Sequence, residues 1–122
     1  MTDYQSRADL QSVPELVALA PIEAKAFLAF NHAVERRDGA IPPKYRELIS
    51  LAVALTTQCA YCLDVHGKAA AAAGASREEL AETALIAAAV RAGGSLAHAL
   101  LALRLFDEAA AKAARPRHDE GA

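Results

Sequence analysis

Residues 48–55 read LISLAVAL, a run that is apolar at every position except Ser50. An apolar run of this length is compatible with a buried strand or with one stretch of a buried helix. The alanines within it and the helix-forming sequence around it favour the helix. Because the run is apolar nearly all round, we expect this helix to lie at the centre of the core.

The composition of the whole chain also favours helices. Of its 122 residues, 32 are alanine, the best helix former, whereas aromatic residues make up 5% and tryptophan is absent. A hydrophobic fraction of 54% and a charged fraction of 23% are typical of a chain that packs a core. We therefore predict an all-α fold in a single domain that spans residues 1–122.

Capping residues, prolines and glycines divide the chain into about six predicted helices. Their predicted starts are, in order, Ser12, Pro21, Pro42-Pro43, Cys59, Ser76 and Ser95. Capping boxes, in which a serine precedes a glutamate by three residues, support the starts at Ser12 and Ser76. Gly39, Gly74 and the pair Gly93-Gly94 are expected to end the second, fourth and fifth helices. The helical core is expected over about residues 14–112, with a frayed tail over residues 115–122.

The net charge and the hydropathy of the chain argue against several classes of function. A formal net charge of −2 and an isoelectric point near 6.1 give no support to nucleic-acid binding. No uninterrupted apolar run approaches the roughly 18 residues that span a membrane. The polar start Met1-Thr2-Asp3-Tyr4 is unlike a secretory signal peptide. We expect a cytoplasmic protein that binds neither nucleic acid nor membrane.

Residues 59–66 read CAYCLDVH and hold both cysteines of the chain. On a helix, Cys59, Cys62 and His66 fall within an arc of about 60°. Two cysteines one turn apart lie within reach of a disulfide. Cys59 falls near the predicted N-terminus of this helix, where free N–H groups and the helix dipole favour the thiolate, the nucleophilic form. This segment therefore indicates redox chemistry or metal binding.

Glu47 is a candidate partner for this segment, although it lies twelve residues before Cys59. Along one straight helix that separation is about 18 Å, which is too far for contact. If the chain turns at residues 56–58, the third and fourth helices can pack together and bring Glu47 towards His66. A carboxylate beside an imidazole would form a proton relay for a nearby thiol. The sequence does not fix the register that this contact needs.

Other interpretations of these residues stay open. The two cysteines and His66 could bind zinc, with Glu47, His98 or another chain as the fourth ligand. Cysteines are also common as small core residues, and a lone glutamate is often a salt-bridge partner. Tyr61 points away from the cysteine face of the predicted helix, so we expect it to be a packing residue.

The chain resembles the AhpD-like alkylhydroperoxidase family, part of the carboxymuconolactone decarboxylase superfamily. The resemblance is carried by the sequence KYRELI at residues 44–49, CAYC at residues 59–62 and His66. The family pattern is a glutamate, eleven residues, C-x-x-C, three residues and a histidine, and all four positions match here. The likeness extends over about residues 14–112, through the later segments GASREEL and Gly93-Gly94.

The resemblance implies an AhpD-like helical domain that assembles into homotrimers or homohexamers and acts as a peroxidase. Cys62 would be the peroxidatic cysteine, Cys59 the resolving cysteine and proton donor, and Glu47 with His66 the proton relay. The substrate would be a hydroperoxide, and the reductant a dithiol such as a thioredoxin-like protein or a lipoyl group. Neither a bound cofactor nor a metal is implied. Tyr61 stands where some family members have a histidine.

Two further functions compete with the peroxidase. A lactone decarboxylase belongs to the other branch of the superfamily, which works without the C-x-x-C motif. A redox-sensing or metal-binding module would instead use the cysteines to change its assembly. The predicted last helix offers apolar residues on more than one face, so a neighbouring subunit could cover one of them.

Overall fold

The structure, a computed structural model, describes residues 4–116. Regular secondary structure within this range is entirely helical, which confirms the all-α prediction. The described residues form five α-helices, close to the predicted number of about six. After a 3-10 helix at Arg7–Ser12, five α-helices follow: α1 Val13–Leu19, α2 Pro21–Val34, α3 Pro43–Thr57, α4 Ala60–Ala72 and α5 Arg77–Ala113.

Helices α3 and α4 form an antiparallel pair around the small core. Buried Leu48 and Leu51 of α3 meet buried Ala70 of α4, and half-buried Leu63 and Ala75 pack against this cluster. The run at residues 48–55 therefore does lie in the core. Only one face of it is covered, however, because within residues 4–116 α4 is the one helix that packs along it. Ile49 and Val53 in the same run are 51% and 56% exposed.

The turn between α3 and α4 depends on Gln58, which adopts the left-handed conformation with φ 57° and ψ 45°. This conformation is unusual for a residue other than glycine, and it commonly ends a helix. The backbone N–H groups of both Gln58 and Cys59 donate to the carbonyl of Ala54. The reversal at Gln58 therefore places Cys59 at the N-cap position of α4.

The predicted start of α5 is confirmed in detail. The Glu79 N–H donates to Ser76 Oγ, and the Ser76 N–H donates to Glu79 Oε1, each at 3.0 Å. Lys44 Nζ lies 3.0 Å from Glu79 Oε2, so the same glutamate joins this capping box to the beginning of α3. The predicted end of α4 is also confirmed, since Gly74 has a φ of +87° just after the C-cap residue Ala73.

The capping box predicted at Ser12 is wrong. Ser12 lies at the end of the 3-10 helix with φ −88° and ψ 2°, whereas an N-cap residue needs an extended backbone. The box occurs six residues earlier instead. There the Ala8 N–H donates to Ser6 Oγ at 3.2 Å, and the Ser6 N–H donates to Asp9 Oδ2 at 3.1 Å.

Two glycine predictions are also wrong. Gly93-Gly94 does not end a helix, because α5 continues from Arg77 to Ala113 through it. A glycine costs a helix only about 1 kcal/mol relative to alanine, and the flanking residues are strong helix formers. Gly39 lies beyond the C-cap of α2 at Glu35. It leaves room there for the Arg46 guanidinium, which donates to the carbonyls of Val34 and Ile41.

The two candidate helix starts can be separated by substitution. We expect Ser76→Ala to lower the free energy of unfolding by about 1 kcal/mol, because it removes an N-cap side chain. Ser95→Ala should leave that free energy unchanged or raise it by up to about 0.5 kcal/mol, because Ser95 lies within α5. Urea unfolding at equal protein concentration measures both values. A similar loss in Ser95→Ala would contradict the continuous helix.

The contacts within the chain define two compact units, Met1–Ala87 and Ala88–Ala122. The first contains the 3-10 helix, α1 to α4 and the beginning of α5. The second contains, in its described part, the remainder of α5. The single domain over residues 1–122 stays a prediction, and the tail predicted to fray lies, beyond Pro116, outside the described residues.

Helix α5 is long and apolar enough to cross a membrane by length and composition alone. Its most apolar 18-residue window has a mean hydropathy of 1.5 and is 6% buried. The sequence of α5 does not indicate this by an uninterrupted apolar run, because residues such as Glu82, Arg91 and Ser95 divide its apolar residues into runs of at most seven. A core helix of a soluble protein passes the same test. Seven large side chains of α5 are at least 61% exposed: Leu85, Ile86, Val90, Leu96, Leu100, Leu103 and Phe106.

Candidate active site

The two cysteines occupy the N-terminal turn of α4. Cys59 is the N-cap residue, with an extended backbone, and its Sγ accepts a hydrogen bond from the Cys62 N–H at 3.2 Å. Cys59 and Cys62 are joined by a disulfide, with their Cα atoms 5.3 Å apart. The expectation that a helix would bring the pair within bonding distance is therefore met.

The packing of α3 against α4 brings Glu47 to His66. Glu47 Oε2 lies 2.7 Å from His66 Nδ1, and the two side chains are only 16% and 19% exposed. Glu47 therefore has the partner that a half-buried carboxylate needs. Because Nδ1 faces the carboxylate, the second ring nitrogen, Nε2, is left to serve another group.

Cys62 and His66 line one cavity of about 280 Å³ between α3 and α4. The remaining lining residues all come from α3: Ile49, Ser50, Val53, Ala54 and Thr57. The Ser50 and Thr57 hydroxyls donate to the backbone carbonyls of Arg46 and Val53, at 2.9 Å and 3.1 Å. The α3 wall facing the cysteine and histidine is therefore mostly apolar.

The α3 residues of this cavity were not predicted from the sequence. Ser50, Val53, Ala54 and Thr57 recur at intervals of three and four residues, so they share one helical face. That spacing identifies a face but not its partner. The face could have been assigned to the site only once the register of α3 against α4 was known.

Tyr61 takes no part in the cavity, as predicted for a residue on the other side of the helix. Its hydroxyl donates to Asp9 Oδ2 at 2.6 Å. On the same side of α4, Asp64 pairs with Arg7 at 2.6 Å and with Lys68 at 3.1 Å. The beginning of the chain therefore contacts α4 beside the cysteines, a contact that sequence reasoning missed.

The contact between Tyr61 and Asp9 shifts the ionisation of both groups. The Tyr61 hydroxyl, followed by the Ser6 N–H, holds the pKa of Asp9 below its ordinary value of 3.8. The bond to Asp9, followed by desolvation, raises the pKa of Tyr61 above its ordinary value of 10.0. At Asp64, desolvation opposes the change, yet Lys68 and Arg7 together hold the pKa below 3.8.

These directions predict a wide pH window for the contact. The stabilisation from Asp9 is present above pH 3.8 and is lost as pH falls through its lowered pKa. The stabilisation from Tyr61 is present below pH 10.0 and is lost as pH rises through its raised pKa. In an ultraviolet titration, we expect Asp9→Asn to let one of the three tyrosines ionise at lower pH. Identical curves for the wild type and the variant would contradict this bond.

The zinc interpretation gains no fourth ligand within residues 4–116. No group of three or more histidine, cysteine, aspartate or glutamate side chains converges there in a metal-binding arrangement. His98 Nδ1 lies 3.0 Å from the carbonyl of Gly94, one turn earlier on its own helix.

A family model and two related sequences show what this chain is similar to. The family model of the carboxymuconolactone decarboxylase family matches residues 21–105. A protein named as uncharacterized protein 4 in the cox locus of Paracoccus denitrificans is 43% identical over 83 residues, which are 68% of this chain and 74% of that protein. An uncharacterized protein of Cupriavidus necator is 33% identical over 92 residues, or 74% of this chain and 81% of the relative.

A solved structure extends the likeness to the fold. The crystal structure of a carboxymuconolactone decarboxylase family protein from Legionella pneumophila, in its apo form, matches with a TM-score of 0.64 and 31% sequence identity. The match covers 84% of this chain and 90% of that protein. The helical arrangement that carries the cysteine pair and the Glu47–His66 pair is therefore similar to one seen experimentally.

Proposed function

The chain belongs to the carboxymuconolactone decarboxylase family, and we propose that it acts there as a thiol peroxidase that reduces alkyl hydroperoxides. One observation carries this proposal. A cysteine that can form a disulfide with its neighbour shares a cavity with a histidine whose ring is bonded to a carboxylate. This combination provides a nucleophile, a base and a resolving thiol.

The first step of the proposed cycle activates Cys62 of the reduced protein. With Nδ1–H donated to Glu47, His66 Nε2 accepts the proton of the Cys62 thiol, and Glu47 stabilises the resulting imidazolium. The thiolate attacks the terminal oxygen of the hydroperoxide, so an S–O bond forms as the O–O bond breaks. The leaving alkoxide takes the proton from His66. The products are an alcohol and the sulfenic acid of Cys62.

The second step forms the disulfide. The Cys59 thiol gives its proton to the hydroxyl group of the sulfenic acid as its sulfur attacks Cys62, so an S–S bond forms, the S–O bond breaks and water leaves. The Cys62 N–H that points at Cys59 Sγ stabilises the negative charge that develops on this sulfur as the proton leaves. The disulfide present in the structure corresponds to the product of this step.

The third step regenerates the dithiol. A thiolate of an external dithiol, such as a lipoyl group or a thioredoxin-like protein, attacks the sulfur of Cys62, the cysteine that lines the cavity. Cys59 leaves as a thiolate held by the helix N-terminus. The second thiol of the reductant then attacks the mixed disulfide, which releases Cys62 and oxidises the reductant to its disulfide. No bound cofactor takes part.

The cavity suits an organic substrate. Ile49, Val53 and Ala54 offer apolar surface to an alkyl chain, and the hydroxyls of Ser50 and Thr57 are already engaged with backbone carbonyls. Burial of an alkyl group against this surface would therefore contribute binding free energy, and hydrogen peroxide has no alkyl group to contribute it. This supports an alkyl hydroperoxide as the substrate.

We also propose that the chain works as a homotrimer or homohexamer. The support is the apolar surface of α5, where Leu96, Leu100 and Phe106 are 72%, 69% and 70% exposed. A soluble monomer rarely exposes so many large apolar side chains along one helix. Sedimentation equilibrium would measure the assembly, and a monomer at micromolar concentration would contradict it.

Turnover tests the proposed function against its rivals. Reduced protein is given cumene hydroperoxide and excess dihydrolipoamide, and both compounds are followed over time. A peroxidase consumes many equivalents of each per protein chain. A redox sensor consumes one equivalent and changes its assembly, a zinc protein releases stoichiometric metal to a chelator, and a decarboxylase acts on the lactone instead. Any of these last three results, without peroxide turnover, would reject the proposal.

A further inference from the structure

The segment at residues 6–12, here called the N-terminal segment, contacts α4 on the side opposite the cavity. It is fixed there by two side-chain contacts, each 2.6 Å long. Tyr61 donates its hydroxyl proton to Asp9, 52 residues away, and Asp64 pairs with Arg7. Tyr61 lies between the two cysteines in sequence, and Asp64 is only 15% exposed. Both contacts therefore attach the segment to the first two turns of α4, the helix whose N-terminus carries the disulfide.

The folding of this segment and its attachment to α4 depend on the same atom. Asp9 Oδ2 accepts the N–H of Ser6, which closes the segment's own capping box at 3.1 Å, and also the hydroxyl of Tyr61. A carboxylate that holds both donors couples the two events. The N-terminal segment therefore docks as a folded unit and not as a loose tail.

The segment also lies outside the part of the chain that the family model matches. That match covers residues 21–105, which include Tyr61 and Asp64 but not Arg7 or Asp9. The docking therefore joins residues outside the matched range to residues within it.

We infer that the N-terminal segment is a positioning element that favours the Cys59–Cys62 disulfide over the dithiol. The inference rests on the proposed function only in that the two cysteines cycle between thiol and disulfide. Asp9 and Tyr61 are positioning residues, because neither touches a sulfur atom.

The physical basis is the effective concentration of one thiol near the other. Forming the disulfide requires the first turn of α4 to hold the two Cα atoms at 5.3 Å, and the ends of helices fray. A segment docked behind that turn restricts the fraying, so less conformational entropy is lost when the S–S bond closes. Releasing the segment should make the disulfide less favourable.

The experiment measures the equilibrium of the full-length protein with oxidised and reduced glutathione at pH 7. The test variants are Tyr61→Phe, Asp9→Asn and the double variant. Tyr45→Phe removes a hydroxyl from α3, outside the cavity and the segment, and is the matched control. Helix content by circular dichroism verifies that each variant folds, and Asp9→Asn leaves the sequence of α4 intact.

We expect each single variant to lower the equilibrium constant for disulfide formation roughly two- to fivefold, in keeping with the loss of one modest hydrogen bond. The double variant should match Asp9→Asn, because that substitution already removes the carboxylate that accepts the Tyr61 hydroxyl. Tyr45→Phe should match the wild type. The inference is overturned if the constants of the test variants equal that of the wild type, or if Tyr45→Phe shifts as far as Tyr61→Phe.

This measurement is independent of peroxidase activity, because glutathione replaces the hydroperoxide as oxidant. If the variants show the shift but the wild-type protein does not turn over hydroperoxide, the positioning element is supported and the proposed function is rejected. If the wild-type protein turns over hydroperoxide but the variants show no shift, the proposed function is supported and the positioning element is rejected.

Discussion

Cys62→Ser should reduce the turnover of cumene hydroperoxide to the uncatalysed background, a loss on the order of a thousandfold or more. The reason is that Cys62 alone of the two cysteines lines the cavity with His66. A serine hydroxyl keeps the shape of the side chain but does not ionise near neutral pH, so no thiolate is present to attack the O–O bond. The measurement is dihydrolipoamide-dependent consumption of hydroperoxide.

Cys59→Ser is the matched variant, since it removes one sulfur by the same substitution. It should still react once with hydroperoxide, because Cys62 and the Glu47–His66 pair remain. Without a resolving thiol, the sulfenic acid of Cys62 should accumulate and be trapped by dimedone. If Cys59→Ser loses the first reaction and Cys62→Ser keeps it, the roles of the two cysteines are the reverse of those proposed.

Glu47→Gln should slow the reaction of reduced protein with hydroperoxide by about a hundredfold, within the range expected for general base catalysis. The amide keeps the size of the side chain but removes the negative charge that stabilises protonated His66. The two side chains lie 2.7 Å apart, and only 16% of Glu47 and 19% of His66 is exposed. Stopped-flow measurement of thiol loss gives the rate constant.

Two further variants test the origin of that effect. Glu82→Gln makes the same change at an exposed position of α5 and should leave the rate unchanged. His66→Asn combined with Glu47→Gln should be no slower than His66→Asn alone, because the pair acts as one unit. Fully additive losses, or a wild-type rate in Glu47→Gln, would show that Glu47 is not part of a relay.

The candidate residues Glu47, Cys59, Cys62 and His66 could be identified from the sequence, but the contact between α3 and α4 that brings them together could not. The spacing predicts Cys59, Cys62 and His66 on one helical face; in the structure Cys62 and His66 share a cavity, whereas Cys59 is the N-cap residue just before the helix. The contact from Glu47 needed the reversal between α3 and α4, which depends on Gln58 in a left-handed conformation without a glycine to indicate it. The register was then set by the packing of Leu51 against α4, which no local pattern specifies.

Local signals predicted the features that depend only on residues close in sequence, unless a competing local preference was stronger, and they did not predict contacts between distant residues. The capping box at Ser76 needs only four residues and was predicted in full. The break at Gly93-Gly94 was predicted from the same kind of local signal, yet the helix-forming sequence around it prevails. The docking of Asp9 on Tyr61 joins residues 52 apart, and nothing in either local sequence indicates the other.

The central claim is that a hydroperoxide drives the Cys59–Cys62 pair from dithiol to disulfide through Cys62. The most direct test titrates the free thiols of reduced, metal-free protein before and after one equivalent of cumene hydroperoxide. We predict that both thiols of each wild-type chain disappear and return with dithiothreitol, and that the remaining thiol of Cys62→Ser persists. Persistence of both thiols in the wild-type protein would contradict the claim.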